Sequence, residues 1–249
     1  MADHAHSSDP DVQRQLDRLA MLSPGRDVLG LERIARLLDR LGNPQHDLPP
    51  VFHVAGTNGK GSTCAFLRAA LEASGRRVHV YTSPHLVRFN ERIRVADRLI
   101  EDVHLAALLE EVLSVADDIG PSFFEATTAA AFLAFARVPA DACVIEVGLG
   151  GRLDATNVIE HPAMCGIAQL ALDHQSFLGD RVETIAAEKA GVKVESQYWT
   201  IGSYDGVLII NAPDERKALH LLAELSAGGN VRSETMLALS DSEFDKVVS

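Results

Sequence analysis

The chain has 249 residues, 47% of them hydrophobic, and a formal net charge of −12. That is enough for one core and allows two domains. The acidic balance, with no Lys/Arg-rich run, argues against a nucleic-acid partner. The scattered Cys64, Cys143 and Cys165 fit reduced thiols better than a disulfide framework or zinc site. No stretch nears the roughly 20 apolar residues of a bilayer span, and the polar start MADHAHSSDPD carries no signal-peptide core. The expectation is a cytoplasmic protein without a membrane partner.

Residues 1–10 read as a disordered tail. Apolar residues at helical spacing predict helices over 12–22 and 29–41, broken by Pro24-Gly25 and by Gly42-Asn43-Pro44. Val51–Val54 reads as a strand, 63–74 as a helix and 78–81 as a strand. A polar loop follows, with a short strand at 93–95. Helices are predicted over 101–119 and 122–137, and strands over 143–147 and 164–170. A short helix at 182–190 completes this region. Strands alternating with helices predict an α/β fold with a parallel sheet flanked by helices. In such sheets ligands bind beyond the carboxyl ends of the strands. Polar clusters stand there at 56–62, 83–85, 146–157 and 173–174.

After Gly191 the pattern changes to α+β: strands at 197–201 and 207–211, a helix at 213–226 and an alternating strand at 232–239. This reads as a partial ferredoxin-like unit. The domains are expected at 1–191 and 192–249.

The stretch VFHVAGTNGKGS, Val51–Ser62, runs a strand through a glycine loop into a helix. A lysine and a helix N-terminus beside backbone N–H groups make an anion site. It departs from the G-x-x-x-x-G-K-[ST] pattern, because Val54 replaces the first glycine and Gly61 separates Lys60 from Ser62. A surface turn with an incidental lysine is the plain alternative.

The string Gly56-Thr57-Asn58-Gly59-Lys60-Gly61-Ser62 resembles the ATP loop of the Mur-ligase superfamily, in its folylpolyglutamate synthase/dihydrofolate synthase form. The similarity continues through Tyr81–Leu86 with Arg88 and Asn90-Glu91-Arg92-Ile93, and through Phe123–Thr128. It then takes in Glu146–Asn157, Leu172-Asp173-His174, Phe177-Leu178-Gly179 and Glu188-Lys189-Ala190-Gly191. A generic P-loop kinase would leave Gly148–Asn157 and Leu172-Asp173-His174 unexplained.

The resemblance implies an ATP-dependent amide ligase of folate metabolism. A carboxylate of folate or dihydropteroate is phosphorylated by ATP, and L-glutamate then displaces phosphate. It implies that Lys60 neutralises phosphate charge and that the backbone of Thr57 to Gly61 cradles the oxygens. Ser83, Glu146 and His174 match magnesium positions for one or two Mg2+ ions; His174, an unusual ligand for a hard cation, could act through water. Lys189 matches a lysine carbamylated in that family, and with Lys60 and His174 completes the catalytic set. Phe123, Phe124, Arg152 and Asp154 are implied at the folate-side substrate, although Phe123 and Phe124 fit ordinary core equally well.

The resemblance ends just past Gly191, short of the family's C-terminal glutamate-binding domain, so half of the closing cleft is expected to be missing. Residues 192–248 resemble part of a GYD-domain protein, on Tyr198–Asp205, Ala212-Pro213-Asp214 and Gly229–Thr235. That leaves a second expectation: a non-catalytic nucleotide-binding chain that self-associates through its tail.

Overall fold

The computed structural model describes residues 5–22, 30–169, 191–199 and 206–227. In chain order these form α1 (Pro10–Leu22), α2 (Glu32–Arg40), β1 (Val51–Ala55), α3 (Lys60–Ala73), β2 (Val78–Tyr81), β3 (Ile93–Val95) and β4 (Arg98–Leu99). They continue with α4 (Asp102–Ser114), α5 (Phe123–Arg137), β5 (Ala142–Glu146), β6 (Met164–Ile167), β7 (Lys193–Trp199), β8 (Gly206–Asn211) and α6 (Glu215–Ala227). Short 3-10 turns lie at Pro44–Asp47, Phe89–Arg92 and Ala155–Val158.

Six strands form one sheet in the order β4-β3-β2-β5-β1-β6. The run β2-β5-β1-β6 is parallel, as the continuous apolar strands predict. To the parallel sheet expected from sequence the structure adds an antiparallel edge, where β3 pairs with β2 and β4 with β3. The chain leaves β2, reverses through residues 82–92 and returns without a helical crossover, a route open only to an antiparallel neighbour. Ala96 and Asp97, both at positive φ (45° and 73°), make the tight turn into β4, too short to show in the hydrophobic pattern.

The two faces are covered unequally. On one, α5 lies against the sheet, and α2 and α4 pack over it, with α1 against α4. Every residue of α5 from Glu125 to Phe135 is buried. Its alanine-rich sequence suits a helix enclosed on all sides. A capping box starts it: Glu125 N–H donates to Ser122 Oγ (3.2 Å), and Ser122 N–H donates to Glu125 Oε2 (2.6 Å). The other face carries α3 over a smaller cluster of Val54, Cys64, Val78, Val80 and Val144.

Other boundaries shift. α4 stops at Ser114 and not at 119, because its last turn opens into residues 115–119, which bury Ala116 and Ile119 separately. α3 begins at Lys60, three residues early, since Gly59 at φ +80° turns the chain directly into the helix. β7 starts at Lys193, and its irregularity between Val194 and Ser196 hides the alternation. β7 and β8 form an antiparallel ribbon, followed by α6. The expected elements at 182–190 and 232–239 lie outside the described residues. No helix among the described residues is long and apolar enough to cross a membrane.

Candidate functional site

The carboxyl ends of β1, β2 and β5 bring three of the four polar clusters to one rim of the sheet. At β1, Gly56 sits at φ +146°, and a Cβ there would lie 2.9 Å from Ala168 Cβ and 3.1 Å from Ala168 N. Only glycine lets the loop pass this close to the chain leaving β6. Ala168 N–H donates to Ala55 O (2.8 Å), and Gln169 O accepts from Thr57 N–H (2.8 Å) and Asn58 N–H (3.2 Å). Those two amides are therefore engaged by the chain, which moves an anion cradle toward the first turn of α3. N–H groups there have no intrahelical acceptor. Asn58, Gly59, Gly61 and Ser62 are exposed, and the half-buried Lys60 folds back so that Nζ donates to Gly56 O (3.1 Å).

Glu146 ends β5 beside this turn. Its Oε2 and Oε1 lie 3.8 and 4.0 Å from where Gly61 would carry a Cβ. Ser83 N–H, from the chain leaving β2, donates to Glu146 Oε2 (3.2 Å). Burial pushes the Glu146 carboxyl above its ordinary pKa, and the Ser83 N–H, Lys60 and Arg92 pull it back. A carboxylate joined to the backbone N–H of a hydroxyl-bearing residue, next to a helix N-terminus, suits a hard divalent cation that keeps water and phosphate oxygens as its other ligands. Among the described residues no cluster of three or more His, Cys, Asp or Glu could hold a metal by itself.

The segment carrying Ser83 contains the cis Ser83–Pro84 bond. The 3-10 turn at Phe89–Arg92 holds it. The Glu91 carboxylate accepts the amides of Leu86 (2.8 Å), Val87 (3.2 Å) and Arg88 (2.9 Å), and these keep its pKa low. Arg92 O accepts from Thr82 N–H (3.0 Å), and Arg92 Nε donates to His85 Nδ1 (3.0 Å).

The second glycine loop, residues 147–157, winds around one carboxylate. Asp154 is 3% exposed. It accepts from Leu149 N–H (2.8 Å), Thr156 N–H (3.0 Å) and Thr156 Oγ1–H (2.6 Å), while burial still raises its pKa. Thr156 Oγ1 spends its proton on Asp154, so it accepts from His53 Nε2–H (2.8 Å). Asp154, a residue the sequence offers for substrate, is thus used inside the protein to shape the loop. Phe124 lies against that loop, and a Cβ on Gly148 would meet its Cζ at 2.5 Å. Phe123 stands edge-on to Phe89, with ring centres 6.0 Å apart. Arg152 is half-buried, and its carbonyl accepts from Asn157 Nδ2 (3.0 Å).

The structure brings together Lys60, Ser62 and the rest of the first loop with Ser83 and Glu146, with Phe123, Phe124 and the Arg152 loop alongside. His174 and Lys189 lie outside the described residues. Sequence reasoning gave no role to Gln169 or Arg92. Gln169 acts through its backbone carbonyl, which no side-chain pattern reveals. Arg92 gave one signal, a cation immediately before a buried strand.

The chain is similar to the dihydrofolate synthetase of Saccharomyces cerevisiae: 44% identical over 197 residues, 77% of this chain and 46% of that protein. A solved bifunctional folylpolyglutamate synthase/dihydrofolate synthase with Mn, AMPPNP and L-glutamate bound is 40% identical over 71% of this chain and 43% of its own, at a TM-score of 0.63. E. coli FolC in complex with DHPP and ADP aligns with 95% of this chain and 64% of its own, at 31% identity and a TM-score of 0.68. The chain spans about half the length of the curated relatives it matches. The GYD domain family model matches residues 165–248, so that similarity starts at Cys165, inside β6, and not at Val192.

Proposed function

Most of this chain is homologous to the folylpolyglutamate/dihydrofolate synthases of the Mur-ligase superfamily, and from that premise we propose that it binds ATP with a divalent metal for ATP-dependent glutamate ligation to a folate-side carboxylate. The observation that carries this reading is the joining of Ser83 to Glu146 beside the first turn of the Lys60-bearing helix. Relatives that bind AMPPNP with Mn and L-glutamate, or DHPP with ADP, support the choice of ligands.

Lys60 and the first-turn amides of α3 would hold the phosphates, with Lys60 released from Gly56 O to reach them. Ser83 and Glu146 would hold the cation, which when bound neutralises charge between the β- and γ-phosphates. His174 and a carbamylated Lys189 are proposed as its further partners. Phe123, Phe124 and the loop carrying Arg152 would form the folate-side wall, with Asp154 setting that loop's shape. The substrate carboxylate oxygen attacks the γ-phosphorus and ADP leaves. The glutamate amine then attacks the acyl phosphate carbon, phosphate leaves, and the amine gives up a proton as the amide forms. Positioning supplies most of such catalysis.

The test is glutamate-dependent ADP release with dihydropteroate or tetrahydrofolate. Release that falls by at least a hundredfold in Lys60→Ala is expected, and release equal in the two would refute ligation at this site. A second reading, with a domain boundary near residue 192, gives the GYD-like tail a self-associating role and leaves nucleotide bound but not turned over; the GYD domain match supports a tail of separate similarity, although that match opens at Cys165. A concentration-dependent oligomer in light scattering, with no ADP released, would favour it.

A further inference from the structure

Arg92 is 1% exposed and among the largest fully buried side chains. Its guanidinium carbon lies 5.3 Å from the centre of the Phe89 ring and 5.9 Å from that of Phe123. Nε donates to His85 Nδ1 (3.0 Å), while the His85 ring packs edge-on against Phe89 at 5.6 Å. The Arg92 carbonyl holds Thr82 N–H (3.0 Å). One residue thus grips both sides of Ser83, at Thr82 and at His85, and touches the phenyl ring of the expected folate-side wall. Its charge is felt at Glu146, the acceptor of the Ser83 amide. A buried cation between two aromatic faces is held in place by attraction to both rings. The flat fork of arginine fixes the direction of its N–H bonds in a way that lysine cannot reproduce.

We propose that Arg92 is the positioning residue of the cation corner. It clamps the Thr82–His85 segment so that Ser83 stays against Glu146, and it ties that corner to Phe123. The division of labour within one turn follows from the hydrogen bonds: Arg92 fixes the half of the loop that carries Ser83, and Glu91 fixes the half at Leu86–Arg88. Because Nδ1 of His85 accepts from Arg92, the neutral ring carries its proton on Nε2. The inference rests on the proposed function for the nature of the ligand, but not for the clamp.

Two measurements on the full chain test it. In amide hydrogen exchange, Arg92→Lys and His85→Ala are each expected to speed exchange of the Ser83 amide at least tenfold. The amides of Leu86, Val87 and Arg88 should stay within about twofold. In calorimetry with AMPPNP, wild type should bind more tightly with Mn2+ than without. Both variants should lose about tenfold of that gain while metal-free affinity is kept, and the double variant should be no worse than either single one. His85→Ala, at a half-buried loop position, decides the matter if Arg92→Lys fails to fold. An unchanged Ser83 amide, or acceleration equal across residues 82–88, overturns the clamp. Wild-type binding that is indifferent to Mn2+ overturns the proposed function and leaves the exchange result to judge the clamp.

Discussion

His53 should make this protein weaken in mild acid by a predictable amount. The residue is 6% exposed in β1, between β5 and β6, and Nε2–H donates to Thr156 Oγ1. Burial, helped by the charge of Lys217, lowers its pKa from 6.5 to about 4. The fold thus favours the neutral ring. Its contribution is fully present above the unfolded pKa of 6.5 and is lost as pH falls toward about 4. At about 1.4 kcal/mol per pKa unit, the whole shift is worth about 3 kcal/mol. About 2 kcal/mol of it should disappear between roughly pH 7.5 and pH 5. Urea denaturation of wild type and His53→Gln at both pH values isolates this residue, because every other titrating group is common to the two. Glutamine keeps an N–H for Thr156 but does not titrate. The wild type should lose about 2 kcal/mol more than the variant across this window. Equal losses would refute the assignment of His53 as a buried neutral donor.

Gly148→Ala should force the Phe124 ring away from the second loop, since the new Cβ would stand 2.5 Å from Cζ; a cost of about 1–3 kcal/mol is expected in thermal melts, with folate-side affinity falling more than nucleotide affinity. Arg33→Ala should cost about 3 kcal/mol in chemical denaturation, because it removes the bidentate partner of the buried Glu125 (both contacts 3.0 Å) while Ser122 N–H still holds one oxygen. Ala168→Pro deletes the N–H given to Ala55 O and disturbs the Gln169 carbonyl beyond it; AMPPNP affinity should fall at least tenfold, and an unchanged affinity would show that the loop does not depend on this strand.

The parallel core was legible because β2 and β5 are buried along their whole length and so read as mainly apolar runs, interrupted only by His79 and closed by Glu146. The antiparallel edge was not, since Arg98-Leu99 is too short for any period and its pairing depends on a turn at Ala96-Asp97. Within the site, Lys60 could be named in advance from the strand, glycine loop and helix around it, and Ser83 and Glu146 only through the family resemblance. The roles of Asp154 and Arg92 could not. A carboxylate that shapes its own loop and one that meets a substrate have the same sequence signature. Only the donors around Asp154, at 2.6–3.0 Å, separate the two cases.

β6 is where the two similarities of this chain meet. The GYD domain match opens at Cys165, yet residues Met164–Ile167 pair with β1 in register with Phe52–Ala55. The backbone just beyond them carries the first glycine loop through Ala168 N–H and Gln169 O. Each of these hydrogen bonds is worth about 1 kcal/mol net, and they act together on one glycine loop. Residues 165–169 therefore cannot be released to a separate tail without loosening Thr57 and Asn58. The ribbon of β7 and β8 begins only at Lys193 and pairs with itself. By backbone pairing, then, the strand that opens the GYD domain match is held by the ligase-like sheet. Any rearrangement that drew it toward the tail would be felt first at the glycine loop of residues 56–62.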